Sequence, residues 1–317
     1  MPAELADVIV RAVLAKIADT VPIAKDFEPL TATARGATGH VVGIRSRTGR
    51  RFVVKMFPAA VADRAGVEAA ALRIAGGLPG VPVPEVLASG SLDGPERVSY
   101  LVMSRLPGVR WAELRSGLSP VAGTQVAESA GAVLRRCHLA TGHWCGHLLH
   151  GPDRPPSWSA ATADRWAASR NEYLASGGDA KTAEALDEWV TGQLAGLADP
   201  TSPVLCHNDY NGGNVMVCGR KALTICGVFD WERACWDDPM RDLARIHNQL
   251  AFSDPYLLPA LVAGYGPLDV PDWTRLYLHK AVHLVDERAW IAVDRPEGWQ
   301  RSITDLDQVL MDSTTAP

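Results

Sequence analysis

An α+β chain of two lobes, a small strand-rich one followed by a larger helical one, is what these 317 residues predict. Three observations lead there. β-Branched and aromatic runs crowd the first third, in "HVVGIRS", "RFVVKMF" and "VSYLVMS". Beyond residue 120 apolar residues recur at helical spacing, and "RLPG" at 105–108 breaks the chain between the two regimes. The boundary is therefore drawn after residue 104, giving 1–104 and 105–317, with the joint near Ser104 to Gly108.

Taken in order, the chain opens on an amphipathic helix, with Leu5, Val8, Ile9, Ala12, Val13 and Ile17 assigned to one face. Residues 27–57 read as antiparallel strands, and "RTGR" between "HVVGIRS" and "RFVVKMF" supplies a hairpin turn. "ADRAGVEAAALRIAGG" has apolar spacings of three and four and a Gly-Gly stop, so it is a helix. "VPVPEVLASG" is a proline-punctuated connector into a strand, and "VSYLVMS" is a further strand. Helices are predicted over 121–140, 162–175, 180–198, 240–251 and 272–293. Within that helical run, "VLCHNDYNGGNVMV" (204–217) and "LTICGVFDW" (223–231) stand out as strands.

Composition excludes several classes. A net charge of −5 offers nothing to nucleic acid or an acidic membrane surface, and no run is long enough to span a bilayer. "MPAELADVIVRAVLAKIAD" has early acidic residues and no continuous apolar core, so a secretory signal is not expected and a cytoplasmic location is. The six cysteines form no CxxC pair and are expected as reduced thiols, with Cys206, Cys218 and Cys226 serving as small hydrophobes. "RCHLATGHWCGHLLH" (136–150) is rich in Cys and His but lacks four-ligand zinc spacing, and its first half reads as a helix end.

The segment at 204–217 poses the functional question. Apolar flanks imply burial, yet His207, Asn208, Asp209, Asn211 and Asn214 lie between them, and buried polar groups cost free energy unless each is hydrogen-bonded. Sixteen residues after Asn214 comes Asp230, and two strands joined by the turn at 218–221 would set Asn214 and Asp230 side by side. An amide oxygen and a carboxylate suit Mg²⁺, which fills its shell with phosphate and water. Asp209, outside that pair, is then available to accept a proton or orient a hydroxyl, as phosphoryl transfer requires. The first lobe would hold the nucleotide. Lys55 lies mid-strand in "RFVVKMF", where an ammonium needs anions, and Glu68 on the following helix is its expected partner. "RGATGHVVG" (35–43) supplies Gly36 and Gly39 for close backbone approach to phosphate.

These segments together resemble the aminoglycoside phosphotransferase family, the small-molecule branch of the protein-kinase-like fold. The matches are "FVVKMF", the helix carrying Glu68, "YLVMSRLPG", "HNDYNGGNVMV", "VFDWE" and "DDPMRDLA", in family order over about 35–245. The resemblance implies a bilobal kinase-like fold and a phosphotransferase using ATP (or GTP) and Mg²⁺. It implies that Asp209 is the catalytic base or hydroxyl-orienting residue, that Asn214 and Asp230 hold Mg²⁺, and that Lys55 contacts the α- and β-phosphates. It also implies nucleobase binding by backbone groups of Ser104, Arg105 and Leu106, and a structural role for Asp242 in bracing the catalytic loop. His207 reads as a loop-bracing residue and Asp238 as a helix cap beside Pro239. Glu232 is assigned either to a second metal or to a salt bridge. Asn208 and Tyr210 depart from the Gly and Leu/Phe common at those places, and only twelve positions separate Asp230 from Asp242. That leaves no room for a long activation segment, so a small substrate is expected rather than a protein.

The acceptor is expected to be a small molecule with a free hydroxyl, most simply an antibiotic of aminoglycoside, nucleoside or macrolide type. The same chemistry serves a metabolic kinase for choline, homoserine or a sugar. A non-catalytic nucleotide-binding protein would be expected to lose the metal or base residues, all of which are present. Asp286, Glu287, Asp294 and Glu297 offer acidic groups to a cation, while Trp273, Tyr277, Trp290 and Trp299 offer stacking surfaces. At least half of the tryptophans are expected in the helical core.

Overall fold

The computed structural model describes residues 3–19, 21, 27–35, 39–92, 97–151, 157–199, 202–219 and 222–315. In chain order the elements are α1 (Ala3–Ile17), β1 (Phe27–Arg35), β2 (His40–Ser46), β3 (Arg51–Pro58), α2 (Asp63–Gly76), β4 (Val86–Leu92) and β5 (Val98–Ser104). Next come β6 (Val109–Arg110), α3 (Trp111–Leu114), α4 (Pro120–Cys137), β7 (Gly146–His147), α5 (Trp158–Ala175) and α6 (Ala180–Gly196). The chain continues through β8 (Val204–Cys206), β9 (Val215–Cys218), β10 (Thr224–Val228), β11 (Cys235–Asp237), α7 (Met240–Ser253), α8 (Leu258–Tyr265), α9 (Val270–Asp294) and α10 (Trp299–Thr315). No helix among the described residues is long and apolar enough to cross a membrane.

The chain packs as two compact units, one of residues 1–126 with 212–234 and one of 127–211 with 235–317. This division differs from a break after residue 104, and sheet pairing supplies the reason. Strand β6, beyond the "RLPG" segment, pairs with β9, and β9 pairs with β10, so 109–110 and 215–228 share one small antiparallel sheet in the first unit.

The main sheet of the first unit has the order β1-β2-β3-β5-β4, antiparallel throughout. The predicted hairpin is present, with Gly49 at φ 84° donating its N–H to Ser46 O at 2.9 Å. Alternation along β3 places Phe52, Val54 and Met56 in a core with Val42, Ile44, Tyr100 and Val102. Helix α1 closes that core with a face rotated from the one expected: Val13 and Ile17 are buried and Ile9 packs against the core as read, but Ala6, Val10 and Leu14 join them, whereas Val8 is 63% exposed. Spacings of four, three and four from Ala6 to Ile17 follow the 3.6-residue period, and Val8 and Ala12 fall off that stripe.

The second unit is mainly helical, as predicted, and holds three features beyond the prediction: α8, α10 and a three-stranded sheet, β7-β11-β8. Helices α5, α6, α9 and α10 enclose Trp158, Trp166, Tyr173, Leu186, Val190, Leu278, Val282, Val285, Leu306 and Leu310. Each such side chain contributes roughly 1.5–3 kcal/mol relative to exposure. Trp111, Trp158, Trp166, Trp231 and Trp236 are buried, half of the chain's ten tryptophans, and Trp189 and Trp299 pack against the helical core.

Charges are buried here too, and they are paired. Asp237 on β11 accepts from Arg165 and Arg241, and the two guanidinium groups overcome the burial that would raise its carboxyl, holding it well below the usual range. Nearby, burial pushes the imidazole of His279 down to about 3 and that of His247 to about 4. A histidine that folds neutral stabilises fully above its unfolded pKa near 6.5 and loses that contribution as pH falls toward the folded value. Lowering the pH from 7 to 5 is therefore expected to lower the thermal midpoint more in the wild-type chain than in His279→Phe. The other buried titrating groups are common to both proteins and cancel. Equal losses in differential scanning calorimetry would refute the assignment.

Candidate active site

In the first unit the site is built around one ammonium. Lys55, on the face of β3 opposite Phe52, Val54 and Met56, is 5% exposed and stands over the Phe57 ring. Its Nζ donates to Glu68 at 2.9 Å and to Asp230, and lies 2.7 Å from Glu232. Burial alone would lower the Lys55 pKa, but Glu68, Asp230 and Glu232 outweigh it and hold the ammonium above its ordinary value. Glu68, on α2 and fully buried, uses its second oxygen to accept the Trp231 N–H at 3.2 Å. One carboxylate thus ties α2 to both the lysine and the segment after β10. Burial drives its carboxyl up to about 7 against the pull of Lys55.

The predicted neighbourhood of Asn214 and Asp230 follows from the β9–β10 ladder. Val215 faces Val228, and the Phe229 N–H donates to Asn214 O at 3.1 Å, which puts Asp230 one residue past the pairing. Asp230 has φ 70°, a left-handed conformation that Asp tolerates better than most residues and that strained functional positions often hold. The oxygens of Glu68, Asp230 and Glu232 all lie within 4.8 Å of one another. Of the two options for Glu232, the salt bridge is present: it joins Lys55 and also Arg64, 2.7 Å away on α2. All three carboxylates are engaged by cations, Glu68 and Asp230 by Lys55 and Glu232 by both Lys55 and Arg64.

Of the residues expected at the phosphates and the nucleobase, Gly36 lies outside the described residues. Gly39 is buried, and a Cβ there would stand 2.6 Å from Met56 O, so only glycine fits beside β3. The N–H of Ser104 donates to Glu85 O at 2.9 Å and that of Arg105 to Arg51 O at 3.1 Å, so both amides are consumed inside the unit. Leu106 packs against β10, where a Cβ on Gly227 would come within 2.6 Å of its Cδ1.

In the second unit the site is a loop held by a helix. Asp242, in the first turn of α7 and wholly buried, accepts the N–H of His207 at 2.6 Å and that of Asn208 at 2.7 Å, one on each oxygen. His138 Nε2 lies 3.4 Å from the same carboxylate, and its Nδ1 meets the Tyr265 hydroxyl at 2.9 Å. His207 Nδ1 accepts the Asp209 N–H at 3.3 Å, which is the bracing role expected of it. Asn208 has φ 63°, a left-handed conformation that Asn tolerates better than most residues. Tyr210 is buried and donates its hydroxyl to Ala130 O at 2.9 Å, which satisfies the oxygen that a Leu or Phe would lack. Asp238 caps α7 as expected, accepting the Met240 N–H at 2.7 Å.

His138, Cys206 and Asp242 lie close enough to share an ion, but Asp242 is engaged by two amides and Cys206 donates to Asp238 O at 3.3 Å. Internal bonds account for that cluster. Arg64, Arg245 and Glu287 carry no sequence motif. Arg64 is four residues before Glu68 and Arg245 three after Asp242, so helical spacing alone could have placed each on the same helix face as that predicted residue.

The sequence model of the phosphotransferase enzyme family matches residues 30–279. The chain belongs to that family. This phosphotransferase has the kinase-like α+β fold, and it is a small-molecule kinase whose acceptor is a hydroxyl. A comparison with curated protein sequences gives no match. Among solved structures it resembles a putative fructosamine-3-kinase from Thermobifida fusca, with 21% identity, TM-score 0.65, and coverage of 95% of this chain and 98% of that one. It also resembles a thermostable mutant of aminoglycoside phosphotransferase APH(4)-Ia in ternary complex with ADP and hygromycin B, with 15% identity, TM-score 0.68, and coverage of 96% and 99%. A third is the amicoumacin kinase hAmiN in complex with AMP-PNP, Ca²⁺ and Ami, with 12% identity, TM-score 0.65, and coverage of 96% and 93%.

Removing the Asp242 carboxylate would leave two buried amides without an acceptor. Asp242→Ala is expected to cost roughly 1–3 kcal/mol for each orphaned group, read as a lower midpoint in urea unfolding. An unchanged midpoint would show that the loop does not depend on this carboxylate.

Proposed function

We propose that this phosphotransferase moves the γ-phosphoryl group of ATP (or GTP) to a hydroxyl of an antibiotic of aminoglycoside, nucleoside or macrolide type, so inactivating it. The observation that carries the nucleotide half is the buried Lys55 ammonium, fixed by Glu68 and set among carboxylates where phosphate oxygens can take their place. In this reading Lys55 orients the α- and β-phosphates, and Gly39 admits the backbone close to them. Leu106 and the hinge carbonyls meet the base, since the Ser104 and Arg105 amides are spent. Asn214 and Asp230 would hold Mg²⁺, which when bound neutralises charge on the phosphates. Asp230 must then exchange its contact with Lys55 for the metal. Asp209 orients the acceptor hydroxyl, whose oxygen bonds to the γ-phosphorus as the bond to the β-phosphate oxygen breaks. The hydroxyl proton passes to the Asp209 carboxylate late in the step.

Two neighbours with antibiotics bound, one holding hygromycin B and one an amicoumacin kinase, support the antibiotic reading. The putative fructosamine-3-kinase supports the second reading, a metabolic small-molecule kinase on the same fold. Charge pairing bears on the acceptor. Glu287 is bound to Arg245 at 3.0 Å, so it is not a spare anion for a polycation. Of the three acceptor types this favours the nucleoside and macrolide over the polycationic aminoglycoside, with half-exposed Tyr277 and Trp290 as stacking surfaces.

Mass spectrometry on antibiotics and small alcohol metabolites incubated with enzyme, ATP and Mg²⁺ tests the reading. One phosphoryl group should appear on an antibiotic; a shift on a metabolite alone would replace the first reading by the second. Asp209→Ala should abolish turnover while calorimetric nucleotide binding survives. Asp230→Ala should remove the Mg²⁺ dependence of nucleotide binding, and wild-type affinity indifferent to Mg²⁺ would overturn the metal assignment.

A further inference from the structure

One cation in the second unit has no part in the scheme above, although it touches the residue at its centre. Arg245 lies three residues after Asp242, one helical turn along α7. Its Nε donates to Asp209 Oδ1 at 3.2 Å and its Nη1 to Glu287 Oε2 on α9 at 3.0 Å. Asn211 Nδ2 donates to the same Asp209 oxygen at 2.9 Å. The side chains of Arg245, Asp209 and Glu287 are 26%, 25% and 37% exposed, so the chain of charges is partly shielded rather than a fully solvated surface pair.

We propose that Arg245, anchored by Glu287, is a positioning residue that sets the plane of the Asp209 carboxylate for the acceptor hydroxyl. The proposal rests on the reading of Asp209 as the group that receives that hydroxyl. Helix α7 then fixes the loop twice, through Asp242 on the backbone of His207 and Asn208 and through Arg245 on the Asp209 side chain. Two donors converging on Oδ1 stop rotation of the carboxylate. A guanidinium held on one side only would swing, and the bond to Glu287 on a different helix removes that freedom.

In a loose transition state the proton leaves late, so what the carboxylate needs most is orientation. The chain of charged contacts runs from Asp209 to Arg245 on α7 and from Arg245 to Glu287 on α9. Asp286 and His283 on α9 lie close enough to influence Arg245 in turn.

The test follows ATP consumption by the full chain with Mg²⁺, using water as the stand-in acceptor and then the compound phosphorylated in the mass-spectrometric panel. Arg245→Gln should lower kcat about tenfold to a hundredfold with KM for ATP unchanged. Arg245→Lys, which keeps the charge, should restore part of the loss. Glu287→Gln, which frees the guanidinium without removing it, should give a smaller fall in kcat, again with KM for ATP unchanged. A merely structural contact would lower stability without this split between kcat and KM or its partial rescue by lysine, and that result, or wild-type kcat in Arg245→Gln, would overturn the proposal. An Asp209→Ala variant that turns over as wild type would instead remove the reading of Asp209 on which the proposal stands.

Discussion

A carboxylate with no exposed surface, Asp242, gives its two oxygens to two consecutive backbone amides, and the active-site loop of the second unit depends on that bond pair. Buried amides without partners are costly, so the loop has one low-energy path across the start of α7. The left-handed Asn208 and the His207 imidazole that accepts the Asp209 N–H follow from that path. The position of Asp209 is then set by a helix rather than by the loop itself.

The first unit meets the same constraint from the opposite sign. Lys55 lies on a strand with almost no contact with water, and burial would neutralise it if Glu68, Asp230 and Glu232 were absent. The three carboxylates keep the buried ammonium charged. Glu68 joins that ammonium to the backbone at Trp231, so the cation and the segment after β10 are set in register by one side chain. Such buried pairs add little net stability compared with apolar packing, and positioning is their plausible benefit.

How much of this was legible in the sequence depended on whether a local pattern carried the information. Strands β2, β3 and β5, helix α2 and the β9–β10 pair follow from alternation, spacing and turn residues, all of which are local. The face of α1 was misjudged because several registers of its apolar residues fit a helix, and only the sheet beneath selects one. Strands β6, β7 and β11 have two or three residues each and exist through partners distant in sequence, which no window reveals. Lys55, Glu68, Asn214 and Asp230 were legible because polar groups in apolar runs need a reason. Arg245 was not singled out and Glu287 was assigned to a cationic acceptor, since a side-chain pair between two helices leaves no motif. Backbone groups of Ser104 to Leu106 were assigned to a nucleobase without distinguishing amides from carbonyls, and the amides of Ser104 and Arg105 meet Glu85 and Arg51.

The central claim is that the Asp209 loop is set by Asp242 before any substrate arrives. Hydrogen–deuterium exchange at the His207 and Asn208 amides, compared between the free chain and the chain with ATP and Mg²⁺, tests it most directly. Both amides should be strongly protected in the free chain, with little added protection on binding. Rapid exchange in the free chain that slows only with nucleotide and metal would contradict the account and make the ligand, rather than Asp242, the source of the loop's geometry.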